Sequence, residues 1–188
     1  MSDEIIHISD EALKEQIIDN LPGGYKPIRK SELVKVRTLY LHFCDLNNLH
    51  FLTHCKNLKS LSFLQTDATL QPFYTLPYLP ELKALSISFV NIPDLKFLAN
   101  CPNLTILELA VCGTMDISPI NNLKKLKRLE IIDTNLAGCE KVNRNETLRS
   151  LSLHHLNIQC FPFRQFPNVK KFNCHEVKVD NITDLFRE

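Results

Sequence analysis

Residues Leu104–Thr114 read LTILELAVCGT, and the spacing of their apolar side chains decides how the rest of the chain is read. Leucines at the first, fourth and sixth places (Leu104, Leu107, Leu109) alternate with residues that suit a solvent face, as a half-buried strand requires. Cys112 follows at the ninth place. The same phrase returns six more times: VRTLYLHFCDL from Val36, LKSLSFLQTDA from Leu58, LKALSISFVNI from Leu82, LKRLEIIDTNL from Leu126, LRSLSLHHLNI from Leu148 and VKKFNCHEVKV from Val169. Starts at 36, 58, 82, 104, 126, 148 and 169 lie 22, 24, 22, 22, 22 and 21 residues apart, which marks a repeat protein of seven cycles. One such cycle is a strand plus a compact return, and it buries its apolar side only by stacking on its neighbours.

The signature LxxLxLxx(N/C/T)xL resembles the leucine-rich repeat. Returns such as IPDLKFLANCPNL and MDISPINNLKKL are similar to the 22-residue class of bacterial internalins and eukaryotic phosphatase-regulating repeat proteins. The resemblance runs from Val36 to the end of the chain. It implies an α/β repeat solenoid, a curved leucine-rich-repeat with a parallel β-sheet on the concave face, short 3₁₀ or extended returns on the convex face and a helical N-terminal cap. Residues 1–35 do not repeat and supply that cap, leaving 36–188 for the seven repeats. Within the cap, SDEALKEQIIDNLPGG begins at Ser9/Asp10, sets Leu13, Ile17 and Leu21 on one helical face, and stops at Pro22, Gly23 and Gly24. A second short helix is expected in PIRKSELVKVRTL. At the other end, Val177, Val179, Ile182, Leu185 and Phe186 either cover the last strand themselves or pair two chains as a homodimer through the C-terminal repeat.

Charge narrows the function. The 188 residues carry 22 Lys+Arg against 21 Asp+Glu, so the broad positive field that nucleic acid or an anionic membrane selects is missing, and neither partner is expected. The acidic start MSDEIIHISDEALKEQ and the lack of any 18-residue apolar run predict a soluble, cytoplasmic protein. An odd count of seven cysteines then reads as free thiols, and the Asn-x-Thr triplets at Asn103, Asn145 and Asn181 as unmodified.

Repeat position assigns the cysteines to scaffold rather than chemistry. Cys44 and Cys112 share the ninth place with Thr66 and Thr134, where a polar side chain bonds the adjoining turn; Val90, Leu156 and Val177 interrupt that row. Cys55 and Cys101 share the twentieth place with Leu123, Cys139 the fourteenth with Leu49, Leu95 and Ile117, and Cys174 takes a strand leucine site. Cys160 has no clear inward role. There is no CxxC, no HExxH and no glycine loop to cradle phosphate, so no catalytic residue, cofactor or metal is assigned and the chain is not read as an enzyme. His154, His155, Cys174 and His175 lie on neighbouring strands, with His154 and His175 side by side on the concave face. With Cys174 expected to point into the core, no third zinc ligand is assured, and the histidines are read as surface.

The informative residues are those at the third, fifth, seventh and eighth places, which have no core duty. Among them Tyr40, Phe43, Leu64, Phe89, Ile106, Glu108, Val111, Glu130, Ile132, Asp133, His154 and His175 are the candidate partner-binding residues. Phe43, Leu64, Phe89, Val111 and Ile132 form an apolar band flanked by Glu108, Glu130 and Asp133, the signature of an interaction site. In the resembling class the eighth place turns partly inward, which would instead make Phe43, Phe89 and Val111 half core. The second place carries a basic stripe, Arg37, Lys59, Lys83, Lys127, Arg149 and Lys170, read as a solvated edge or as a match for an acidic partner surface. The expected function is a non-catalytic protein–protein interaction module that binds its partner through the concave face. Two alternatives are an inhibitor or immunity-type protein that blocks a partner enzyme or toxin, and a substrate-recognition or regulatory subunit of a separate enzyme such as a phosphatase or ubiquitin ligase.

Overall fold

A computed structural model describes residues 3–21, 23–24, 27–43, 49–64, 76–158 and 161–179. Pro22, Cys44, Thr66, Cys160, Ile182, Leu185 and Phe186, and the side chain of Val179, lie outside what it describes.

Among the described residues, seven strands form one sheet: β1 (Thr38–His42), β2 (Ser60–Leu64), β3 (Ala84–Ser88), β4 (Ile106–Asp116), β5 (Arg128–Ala137), β6 (Ser150–Ile158) and β7 (Lys171–Val179). Their order in the sheet is their order in the chain, and every neighbouring pair is parallel. The register sets like on like, so Leu39 faces Leu61, Leu61 faces Leu85, Leu85 faces Leu107 and Leu107 faces Leu129. Stacking therefore makes two continuous apolar rows: Leu39, Leu61, Leu85, Leu107, Leu129 and Leu151 from the fourth place, Leu41, Phe63, Ile87, Leu109, Ile131 and Leu153 from the sixth. All twelve are buried. Each such side chain adds about 1.5–3 kcal/mol by leaving water. Pairing starts before the strands do, because the second-place N–H of each cycle donates to the second-place carbonyl of the cycle before. The series runs from Lys59 N to Arg37 O at 2.8 Å to Lys170 N to Arg149 O at 2.9 Å.

The returns are short, as expected. Single 3₁₀ turns at His50–His54, Lys96–Asn100, Ser118–Asn122, Cys139–Lys141 and Phe163–Gln165 lie opposite the sheet and send Phe51, Leu52, Phe97, Leu98 and Ile120 into the core. A second set of ties joins the returns. Asn57, Asn103 and Asn168, each just before the first residue of a cycle, donate through Nδ2 to Val34 O, Pro80 O and Glu146 O at 2.8, 2.8 and 2.9 Å. Thr147, at the same point of its cycle, donates to Leu126 O at 2.8 Å.

Before the first strand, α1 (Glu11–Asp19) is capped by Asp10, whose carboxylate accepts from Leu13 N at 2.6 Å, and it buries Leu13, Ile17 and Ile18. α2 (Lys30–Leu33) buries Leu33. The free edge of β1 meets α1 at Gln16: His42 N donates to Gln16 Oε1 at 2.7 Å, and Gln16 Nε2 donates back to His42 O. The side-chain amide thereby stands in for a further strand at that point of the edge.

Cysteine placement agrees with the repeat positions in four cases and departs in one. Cys55, Cys101, Cys112 and Cys139 are buried, whereas Cys174 is exposed. Cys174 holds a strand leucine site, but it lies on the last described strand, and Phe172 two residues earlier is also exposed. A site that is core between two cycles is open where no later described strand stacks on it.

Candidate interaction surface

The surface is built by a backbone device repeated in each of the six cycles whose eighth place is described. In a regular strand the fourth, sixth and eighth places would all point inward. At the eighth place, however, Phe43, Phe89, Val111, Asp133, His155 and Glu176 have φ of 49°, 58°, 53°, 44°, 53° and 52°. This left-handed conformation breaks the alternation, so the seventh and eighth side chains both face out and the ninth returns to the core. Val90, Cys112, Thr134 and Leu156 at the ninth place are buried accordingly. Between β4 and β5 the change is visible as a register shift from the Ala110/Ile132 pair to the Gly113/Thr134 pair.

The consequence corrects the inward alternative for Phe43 and Phe89, whereas Val111 fits it. Phe43 is 63% exposed and Phe89 49%, while Val111 is half-buried. Left-handed backbone costs a residue with a Cβ roughly 1–2 kcal/mol, and Val111 is β-branched. The ninth place helps hold it: Cys112 N donates to Thr134 Oγ1 at 3.1 Å, Thr134 Oγ1 donates to Ile132 O at 2.9 Å, and Cys112 Sγ lies 3.4 Å from both Ile87 O and Ala110 O.

The remaining sequence candidates fall on the same face. Tyr40 is 57% exposed, and Leu64 on β2, paired with His42, is exposed too; Ile106, Glu108, Glu130, Ile132 and His154 are half-buried, and Asp133 and His175 exposed. Read from β1 to β7, the seventh and eighth places carry Phe43, Leu64, Phe89, Val111 and Ile132 in the first five cycles, interrupted by His42 and Ser88, and titratable residues (Asp133, His154, His155, His175, Glu176) in the last three.

The acidic flank is less acidic than its sequence. Glu108 and Glu130 face each other in register, a costly pairing of like charge, and Arg128 bridges them. Its Nη2 lies 2.6 Å from Glu130 Oε2 and 3.5 Å from Glu108 Oε1. The hydrogen bond to Glu130 raises the already high pKa of the guanidinium, which is charged throughout. The sequence reading missed this because Arg128 sits two places from Glu130 and one whole cycle from Glu108.

The basic stripe is partly engaged as well. Lys59 pairs with Glu81, and Arg149 donates through Nη1 to Glu146 O and Leu148 O.

At the far end, His154 and His175 stand side by side as expected, with ring centroids 6.5 Å apart. A tighter group forms next to them, and Cys174 is not in it. His155 Nδ1 is 2.9 Å from Glu176 Oε2, His175 Nδ1 is 4.0 Å from Glu176 Oε1, and the His155 and His175 rings are 5.4 Å apart. The signal in the sequence was the shared eighth place of His155 and Glu176, which only the left-handed turn makes outward-facing.

This architecture is that of a leucine-rich-repeat solenoid. In fold it is similar to a solved internalin, inlF, from Listeria monocytogenes strain 4b F2365, at a TM-score of 0.56 and 18% sequence identity. The match covers 90% of this chain and 57% of that one, so the chain spans little more than half the length of that protein. No protein-family model matches the sequence, and no curated protein matches it. Among the described residues no helix is long and apolar enough to cross a membrane.

Proposed function

We propose that the protein is a non-catalytic binding module that docks a protein partner on the concave face of its sheet, with Phe43 and Phe89 as anchors and Tyr40 and Leu64 beside them. The observation that carries this reading is the eighth-place turn. It holds two phenylalanines in solvent at a backbone cost, where a regular strand would bury them. Rigid aromatic side chains on a fixed sheet are the groups that supply most of an interface's energy. The acidic centre that would suit an inhibitor of a basic target is bridged by Arg128, so the apolar band is the better anchor.

The test is affinity capture with the full chain and with Phe43→Asp/Phe89→Asp, read by mass spectrometry alongside thermal melts. The expected result is a set of proteins retained by the parent chain and lost with the variant, at a melting temperature within a few degrees of the parent. An unchanged capture set would overturn the reading, and so would a large drop in melting temperature, which would return the two residues to the core.

A further inference from the structure

We propose that His155, His175 and Glu176 form a binding site for one divalent transition-metal ion of borderline softness, with Zn²⁺ as the representative. One ligand atom from each lies within 4.8 Å of the others. A tetrahedral zinc centre, with ligands about 2.0–2.1 Å from the ion, needs its donors about 3.4 Å apart. The His155 Nδ1 to Glu176 Oε2 separation of 2.9 Å is already inside that span, and the 4.0 Å from His175 Nδ1 to Glu176 Oε1 closes with a small rotation of exposed side chains.

The placement comes from the fold and not from mobile loops. β6 and β7 are held in register from Ser150/Lys171 to His154/His175 and again from Leu156/Val177 to Ile158/Val179, which fixes His155 and Glu176 between two paired stretches with His175 at the edge of the first. One residue on, His155 and Glu176 both take the left-handed turn, with φ of 53° and 52°. A regular strand would aim these two side chains at the core, away from His175. The turn brings them to the outer side, where three donors from adjacent strands converge.

The donor set selects the ion class. Two imidazoles with one carboxylate suit Zn²⁺, Ni²⁺ or Cu²⁺, while Ca²⁺ and Mg²⁺ require oxygen ligands almost throughout. Three protein ligands leave a tetrahedral ion one position for water or a donor from a partner.

Untagged full-length chain, freed of metal with chelator, is titrated with ZnCl₂ by calorimetry, and the histidine side-chain resonances are followed by NMR. Saturable binding of one Zn²⁺ per chain is expected, with the His155 and His175 resonances moving together and Ca²⁺ producing neither effect. His175→Ala and Glu176→Gln should each weaken binding roughly tenfold or more, about 1.4 kcal/mol per decade, at unchanged melting temperature. Cys174→Ser should leave it intact, and so should His50→Ala/His54→Ala, which removes the two imidazoles of the first return, 6.4 Å apart between ring centroids. The proposal fails if no saturable binding occurs, if the His155→Ala/His175→Ala/Glu176→Gln variant still binds, if Ca²⁺ competes equally, or if binding depends on Cys174 or the His50/His54 pair.

Discussion

At the scale of single residues the two informative groups are the eighth-place side chains and the thiols. Asparagine tolerates left-handed backbone better than phenylalanine, and Phe43 is mostly exposed. Phe43→Asn is therefore expected to raise stability by about 0.5–1 kcal/mol, read as a higher urea midpoint at unchanged slope. A lower midpoint would mean that the ring's packing outweighs the backbone relief. Burial pushes the Cys55 and Cys101 thiols up to about 12 and Cys112 to about 11, from an ordinary 9.0. The unfolded chain then loses these protons first. The stability the three thiols contribute is complete below about pH 9 and declines as pH rises toward 11–12. Alkylation of the native protein at pH 8 followed by peptide mapping should modify Cys174 while sparing Cys55, Cys101, Cys112 and Cys139. Labelling of the buried four at the Cys174 rate would contradict the burial.

At the scale of elements, the 3₁₀ return after β5 depends on one glycine. Gly138 has φ of 69°, and a Cβ there would lie 2.0 Å from Asp116 Oδ1, the atom that accepts from Ser118 N at 2.8 Å to open the preceding return. Gly138→Ala should cost about 2–3 kcal/mol by combining left-handed strain with the loss of that bond. Loss of less than about 1 kcal/mol in chemical denaturation would show that the return simply shifts. The contrast in legibility also belongs to this scale. The strands were readable because Leu107 and Leu109 recur with a period of two and their counterparts recur cycle after cycle, so burial alone dictates the element. The turn at the eighth place was not readable, since Phe, Val, Asp, His and Glu share no propensity for left-handed backbone; the ladder before it and the burial of the ninth-place side chains Val90, Cys112, Thr134 and Leu156 impose it. Arg128 between Glu108 and Glu130, and His155 beside Glu176, are likewise products of register, which a linear reading cannot see without first knowing which way each side chain faces.

For the whole molecule, stability is distributed along one dimension. β4 and β5 have a strand on each side, whereas β7 has a described neighbour only in β6. Native-state hydrogen exchange should accordingly show strongest protection at Leu107–Leu109 and Leu129–Ile131, with protection falling toward Phe172–Cys174. Uniform protection across all seven strands would instead indicate a single cooperative unit. Leu107→Ala, which leaves a cavity enclosed on both sides, should cost about 2–5 kcal/mol, more than Phe172→Leu at the open end.

The agreement between chain order and strand order has a further consequence for how such a surface can change. Each cycle contributes one column to the outer face, and neighbouring columns meet mainly through backbone ladders and two apolar rows that are alike from cycle to cycle. A column can thus be rewritten, or moved, with little disturbance to the rest. The face behaves like a line of type in which single characters are replaceable, and specificity could drift one character at a time while the spine that holds the line stays fixed.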